Sequence, residues 1–210
     1  MIQFTREGVK AAATADDLRA ARERFERDKL LRLPELIAPD LADMVREGME
    51  RDGFQQPDEA TMKSVYGGWY GPVRQDLNPG PTIRLLDGRV NDPTFLRFVQ
   101  DLAGTPPLAR CVGRVFRLRA TDEDHVWHTD AEGGRLADIV IDLSADRYEG
   151  GAFEMRDAAT KRIFTVVEDM QYREGVLARI SAAIEHHNRK VTSTTQRITY
   201  VGWFVPEGQA

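Results

Sequence analysis

Residues 137–143 read Ala-Asp-Ile-Val-Ile-Asp-Leu, with Ala137, Ile139, Ile141 and Leu143 on one parity and Asp138, Val140 and Asp142 on the other. Alternation with a period of two belongs to a β-strand that has one face more buried than the other. Upstream of Pro107 the apolar spacing is near 3.6 residues and downstream it is near 2. Similar short segments at Arg110–Arg119, Ala152–Met155, Arg162–Val167, Val176–Ser181 and Arg197–Val205 are separated by turn signals such as Glu149-Gly150-Gly151 and Arg173-Glu174-Gly175. About six short antiparallel strands in roughly 100 residues suit a double-stranded β-helix, or jelly roll.

The first half reads differently. A helix is expected from Ala15 to Leu31, with Thr14 as N-cap and Asp16 and Asp17 in its first turn, where carboxylates suit the positive end of the helix dipole. A second is expected from Pro39 to Gly53, with Leu41, Met44, Val45 and Met49 on one stripe. A third starts on Asp92 and Pro93, buries Phe95, Phe98, Val99 and Leu102, and stops at Gly104. Gln55 to Val90 has no sustained period and is expected to be a long loop region. The fold class that follows is α+β, mainly β, with N-terminal helices packed against one sheet of a jelly roll. It is expected to form a single domain over residues 1–210, helical over about 1–105 and jelly roll over about 106–206.

Composition narrows the function. The 210 residues include 29 Lys plus Arg and 34 Asp plus Glu, a net charge of −5, with 41% apolar residues. This acidic balance argues against a general nucleic-acid binder, which needs a concentrated positive surface. Arg19 to Arg32 is rich in basic residues, but Glu23, Glu26 and Asp28 are interleaved, as on a solvated helix face. No apolar run approaches the ~18 residues of a membrane span, so no membrane partner is expected. The N-terminus lacks the apolar core of a signal peptide, and the single cysteine, Cys111, precludes an intramolecular disulfide framework. Both features point to a cytoplasmic location, with Cys111 a small buried residue.

All four histidines fall in two clusters, His125 with His128 and His186 with His187. In Trp127-His128-Thr129-Asp130, residues i and i+2 of an extended chain face the same side, so His128 and Asp130 can converge on one point. Two imidazoles and one carboxylate make the facial triad that holds non-haem Fe(II) with positions left open. The plain alternative is a surface hydrogen bond between His128 and Asp130, with the second pair merely at a strand end. His125 fits an exposed loop histidine or one at the pocket mouth. Farther on, Arg197 and Thr199 share one side of a strand, and a guanidinium with a neighbouring hydroxyl is what a buried dicarboxylate needs.

Taken in order, Trp127-His128-Thr129-Asp130, the strand Ile139 to Leu143, Tyr148-Glu149-Gly150-Gly151-Ala152-Phe153, Gly175, the His186-His187 pair, Val191-Thr192, Arg197 and Gly202-Trp203-Phe204 form a recognisable pattern. Over about 80 residues the chain resembles the Fe(II)- and 2-oxoglutarate-dependent oxygenases of the prolyl 4-hydroxylase-like group. Phe25 to Leu36 and the helix that follows resemble, more faintly, the N-terminal entry of the same enzymes. The chain departs from the pattern in having two adjacent histidines where the family has one, and in lacking the proline that often precedes the Val-Thr pair. Counting from Gly175 and from Val191-Thr192 favours His186 as the ligand; counting ten back from Arg197 favours His187. The preferred metal set is His128, Asp130 and His186, with His187 facing substrate or supporting the site.

The resemblance implies Fe(II), 2-oxoglutarate and O2 as cofactor and co-substrates, the distal carboxylate of 2-oxoglutarate being held by Arg197 and Thr199. It implies a dioxygenase that couples decarboxylation to succinate with hydroxylation of a C–H bond. Halogenating relatives carry a small residue at the position of Asp130, so the retained carboxylate favours hydroxylation, with desaturation or ring closure still open. The expected substrate is a small molecule such as an amino acid or a biosynthetic intermediate; a peptide or protein is the runner-up. Tyr66, Trp69 and Tyr70 are candidates for an aromatic lid, and Lys63, Arg74 or Arg84 for holding an acidic group. Two readings from other classes are a non-catalytic jelly-roll metal-binding or sensor protein and a zinc hydrolase on the same triad.

Overall fold

Twelve strands and four helices are found among the described residues, 2–56, 75–122 and 126–208 of the computed structural model. An antiparallel pair, β1 (Ile2–Phe4) and β2 (Val9–Ala11), precedes α1 (Ala15–Asp28). Thr14 and Asp17 close a capping box at its start, each side chain bonded to the other's backbone N–H. The helix is shorter than the sequence pattern suggests, because Lys29 turns left-handed (φ 58°) and Leu30–Leu33 form β3 instead of a last helical turn. Leu30, Leu31 and Leu33 are all buried, so paired edge-strand geometry accommodates apolar side chains on both faces where a helix would leave one exposed.

Helix α2 (Pro39–Asp52) ends on Gly53 as expected, followed by β4 (Phe54–Gln55). The region expected to be a loop carries regular structure at its end: β5 (Gln75–Leu77) and α3 (Pro81–Val90). Proline at the first helical position and Thr82, Leu86 and Val90, four residues apart and all buried, make α3 an amphipathic helix too short to stand out as a period. Lys63, Tyr66, Trp69, Tyr70 and Arg74 lie outside the described residues; Arg84 is exposed on α3. Helix α4 (Pro93–Ala103) runs from its Asp92 cap to Gly104 as its sequence indicates.

The remaining strands are β6 (Leu108–Leu118), β7 (Ala137–Asp142), β8 (Phe153–Asp157), β9 (Ile163–Val167), β10 (Gly175–Arg179), β11 (Ile184–Asn188) and β12 (Arg197–Pro206). They form a seven-stranded sheet ordered β3-β10-β7-β12-β6-β5-β4 and a three-stranded sheet ordered β11-β8-β9, with every pairing in both antiparallel. One face of the large sheet packs on the helices, where Ile139, Ile141, Tyr200 and Phe204 share a core with Leu41, Val45, Phe95 and Val99. Burial of each such large side chain contributes roughly 1.5–3 kcal/mol. Its other face meets the small sheet, Val140, Val176 and Ala178 packing on Phe153, Met155, Val167 and Ile184.

This layering corrects one expectation. Every residue of β7 is buried, so the strand has two covered faces. Asp138 and Asp142 point away from the helices into the space between the sheets, where the residues considered next are gathered.

Candidate metal centre

The segment carrying His128 runs beside β11, and the two backbones exchange both hydrogen bonds, His128 N–H to the His186 carbonyl at 3.1 Å and His186 N–H to the His128 carbonyl at 2.8 Å. That isolated antiparallel bridge brings the two imidazoles together, with ring centroids 4.5 Å apart and planes at 60°. Asp130 lies two residues on from His128 and completes a cluster whose donor atoms all lie within 4.8 Å of one another. One carboxylate oxygen is 3.6 Å from His186 Nε2 and the other 3.9 Å from His128 Nε2.

Donors bonded to one ion at about 2.1 Å along perpendicular directions are about 3 Å apart, so small side-chain rotations bring these three to ligand distance. The protonation states suit such a role. His128 Nδ1 is 2.8 Å from the Val126 carbonyl, so that nitrogen carries the proton and Nε2 presents its lone pair to the cluster. Burial, with His128 close by, lowers the His186 pKa to about 4 against the pull of Asp130, leaving a neutral imidazole at pH 7. Trp203 Nε1–H donates to Asp130 Oδ2 at 2.6 Å, and Arg135 reaches Oδ1 at 3.5 Å while its guanidinium lies 4.6 Å from the Trp203 ring centre.

His187 points the other way. Its Nε2 lies 2.8 Å from Glu154 Oε2, and its ring stacks on Trp127 at 3.9 Å, with the Arg156 guanidinium 4.1 Å from the same indole. The β11–β8 register pairs His186 with Met155 and His187 with Glu154, which puts only the first on the inner face. His125 lies outside the described residues.

The inner faces of both sheets line a cavity of about 50 Å³, bordered by, among others, His128, Asp130, Asp138, His186, Asn188 and Thr199. Arg197 is 1% exposed. Its Nη1 donates to Asn188 Oδ1 at 2.7 Å, its Nη2 meets the Met170 sulfur at 3.7 Å, and its Nε has no partner among the described residues. Among the described residues no carboxylate forms an ion pair with this guanidinium, so a ligand carboxylate would supply the anionic partner that a buried Arg ordinarily has. Behind it, Tyr148 donates to Asp142 Oδ2 at 2.6 Å; burial raises the Asp142 pKa even though the Arg197 charge opposes this. Gly150 and Gly151 both take positive φ, 78° and 70°; a Cβ on Gly150 would sit 2.3 Å from the Lys190 carbonyl, and one on Gly151 would sit 3.1 Å from Arg197 Cδ. The glycine pair thus lets the turn lie against the loop before Arg197.

Cys111 is buried, as expected. Three contributors escaped the sequence reading: Asp138, 2% exposed with Oδ1 unpartnered among the described residues; Asn188; and the Trp203 indole as partner of Asp130. For Asn188 a signal existed, since it follows His186 by two residues on one strand and so shares its face. No helix among the described residues is long and apolar enough to cross a membrane.

No protein-family model matches the chain, and no curated sequence does. Solved structures do. A prolyl-4-hydroxylase from Pseudomonas putida aligns with TM-score 0.64 at 14% identity, covering 91% of this chain and 100% of that one. A prolyl hydroxylase from Trichoplax adhaerens, in complex with a hypoxia inducible factor oxygen degradation domain peptide fragment, aligns with TM-score 0.66 at 12% identity, covering 94% and 96%. The epimerase SnoN, in complex with Fe3+, alpha ketoglutarate and nogalamycin RO, aligns with TM-score 0.63 at 13% identity, covering 92% and 85%. The chain therefore shares its fold with prolyl-4-hydroxylase and other 2-oxoglutarate- and iron-dependent oxygenase structures.

Proposed function

We propose that this protein is a non-haem Fe(II)- and 2-oxoglutarate-dependent dioxygenase, built as a jelly roll in one domain, that hydroxylates a small molecule such as an amino acid or a biosynthetic intermediate. The observation that carries the reading is the conjunction of two features between the same sheets: the His128, Asp130 and His186 donors, and a buried guanidinium at Arg197 with no carboxylate partner among the described residues. A zinc hydrolase has no use for the second.

In this reading His128, Asp130 and His186 would hold the metal. When bound, iron and 2-oxoglutarate would supply, with O2, the oxidising chemistry, with succinate and carbon dioxide as co-products. The chain's own part is positional. The Val126 carbonyl fixes the His128 tautomer, Trp203 and Arg135 fix the Asp130 rotamer, and Arg197 and Thr199 supply charge and a hydroxyl at the far end of the co-substrate. Asp130 occupies the place a halide would need, which supports hydroxylation. The substrate of this reading is a small molecule, and a peptide, as in the T. adhaerens complex, is the alternative. A cytoplasmic location belongs to the same proposal.

The test is anaerobic addition of Fe(II) and 2-oxoglutarate, watched for the weak visible charge-transfer band of the chelate, followed by succinate assay on admitting air. The band is expected in the intact protein and lost in His128→Ala. Its absence from the first or persistence in the second overturns the proposal. In Arg197→Ala, 2-oxoglutarate affinity is expected to fall more than metal affinity.

A further inference from the structure

We propose that β9 is an interaction surface for a second copy of this chain, the free edges of two β9 strands pairing antiparallel about a two-fold axis at Thr165 and joining the two small sheets into one. The inference is independent of the metal chemistry proposed above.

The edge itself is the first observation. β9 ends the order β11-β8-β9 and pairs only with β8, so its outer row of backbone N–H and C=O groups has no backbone partner among the described residues. Exposed edges are ordinarily blunted by charge, proline or a bulge. Ile163-Phe164-Thr165-Val166-Val167 has no charged residue, proline or glycine and is made of strand-forming types. Its one irregularity is a skip in register with β8 at Phe164, which leaves Ile163 and Phe164 both at the surface. Ile163 is 44%, Phe164 39% and Val166 42% exposed, so three of the five large apolar side chains that reach solvent among the described residues lie on this strand. Thr165 turns inward and donates to the Asp28 carbonyl at 3.0 Å. The apolarity is local: elsewhere on the outer face of this sheet, Glu154 is bonded to His187 at 2.8 Å and Arg156 to Glu185 at 2.7 Å.

The flanks identify the occupant. Lys161 and Arg162 precede the apolar run and Glu168 and Asp169 follow it, so the segment is basic at one end and acidic at the other. Two such strands laid parallel would set like charges together. Laid antiparallel about Thr165, they set Arg162 opposite Glu168 of the second copy and Phe164 opposite its Val166, each contact occurring twice. Pairs of cation with carboxylate and of aromatic with β-branched side chains are those that stabilise an antiparallel ladder. Arg162 and Glu168 are exposed, and among the described residues neither is in an ion pair of its own. The contact is isologous and uses the edge of both copies, so it closes at two chains and does not grow into a fibre. A strand of 5 residues makes a small interface, so the dimer is weak and fills only at high protein concentration.

The experiment is sedimentation velocity on the full chain from about 1 to about 500 µM at low salt, where weak and charge-assisted contacts are most visible. The mass is expected to rise from one chain towards two across that range. One chain throughout, or growth past two, overturns the proposal. Val166→Lys puts a charge on the pairing edge, and Arg162→Glu sets like charges opposite each other. Each is expected to weaken dimerisation at least tenfold, with the far-ultraviolet spectrum and urea midpoint kept because both side chains are exposed. Arg162→Glu combined with Glu168→Arg makes the charges opposite again and is expected to return the affinity to within threefold of wild type. A dimer indifferent to either single variant forms elsewhere, and one that the double variant fails to rescue has another register; either result overturns the pairing.

Discussion

Trp203→Phe removes one hydrogen-bond donor from the edge of the metal cluster and little else. The indole Nε1–H gives Asp130 Oδ2 a 2.6 Å bond to a carboxylate, the kind worth about 1.5–3 kcal/mol when a charged partner is involved. Trp203 is 8% exposed, so bulk water does not readily replace that donor, and Arg135 at 3.5 Å is a further contact restraining the carboxylate. Phenylalanine keeps most of the ring against the Arg135 guanidinium. Partners that orient a metal ligand typically contribute 10–100-fold to affinity, which at about 1.4 kcal/mol per tenfold is about 1.4–2.8 kcal/mol and matches the hydrogen-bond figure. Metal affinity, measured by chelator competition with Co(II) or Fe(II) under argon, is therefore expected to fall 10–100-fold. The protein should remain folded, with a normal far-ultraviolet spectrum and a stability loss of no more than about 3 kcal/mol in urea. A metal affinity within twofold of wild type would refute the reasoning and leave the bond a structural contact only.

Other outcomes follow from the same geometry. His186→Ala should weaken metal binding at least a hundredfold in the same competition assay, whereas His187→Ala should stay within about threefold, since that ring is bonded to Glu154 and stacked on Trp127. In metal-free protein, burial first and then the Asp130 charge raise the Asp138 pKa well above the ordinary carboxylate range. A raised acid binds its proton more tightly folded than unfolded, so its contribution to stability declines as pH rises above the unfolded value near 4. Asp138→Asn should thus gain melting temperature relative to wild type from pH 5 to pH 8, and a constant difference would count against a raised value. Gly113→Ala would place a Cβ 2.0 Å from the Tyr200 hydroxyl, which is buried and bonded to Asp87 at 2.9 Å; a loss of about 2 kcal/mol is expected in urea unfolding.

Much of the architecture can be read locally because the signals are local. The Thr14 cap, Pro39, the Asp92-Pro93 start and the Gly53 and Gly104 stops each depend on one or two side chains near their own backbone, and each lies where its residues predict. The end of α1 and the loop before α4 read less well. Leu30–Leu33 is apolar enough for a helix or a strand, and pairing with β10, more than a hundred residues away, decides between them. Helix α3 has only three buried positions, too few to distinguish from loop composition.

The candidate site divides in the same way. The residue types at 128, 130, 197 and 199, and the equal parity of each pair, are properties of the primary chain, and they are enough to suggest a metal and an acidic ligand. Three matters belong to the tertiary structure alone: the bridge between His128 and His186, the register that turns His186 inward and His187 toward Glu154, and the hydrogen bond that joins Arg197 to Asn188. The physical reason is that side-chain parity along a strand is local, whereas register is a sum over pairings with distant strands. A slip of one residue exchanges the two faces of β11, and the packing of Phe153, Met155 and Ile184 between the sheets holds it in place.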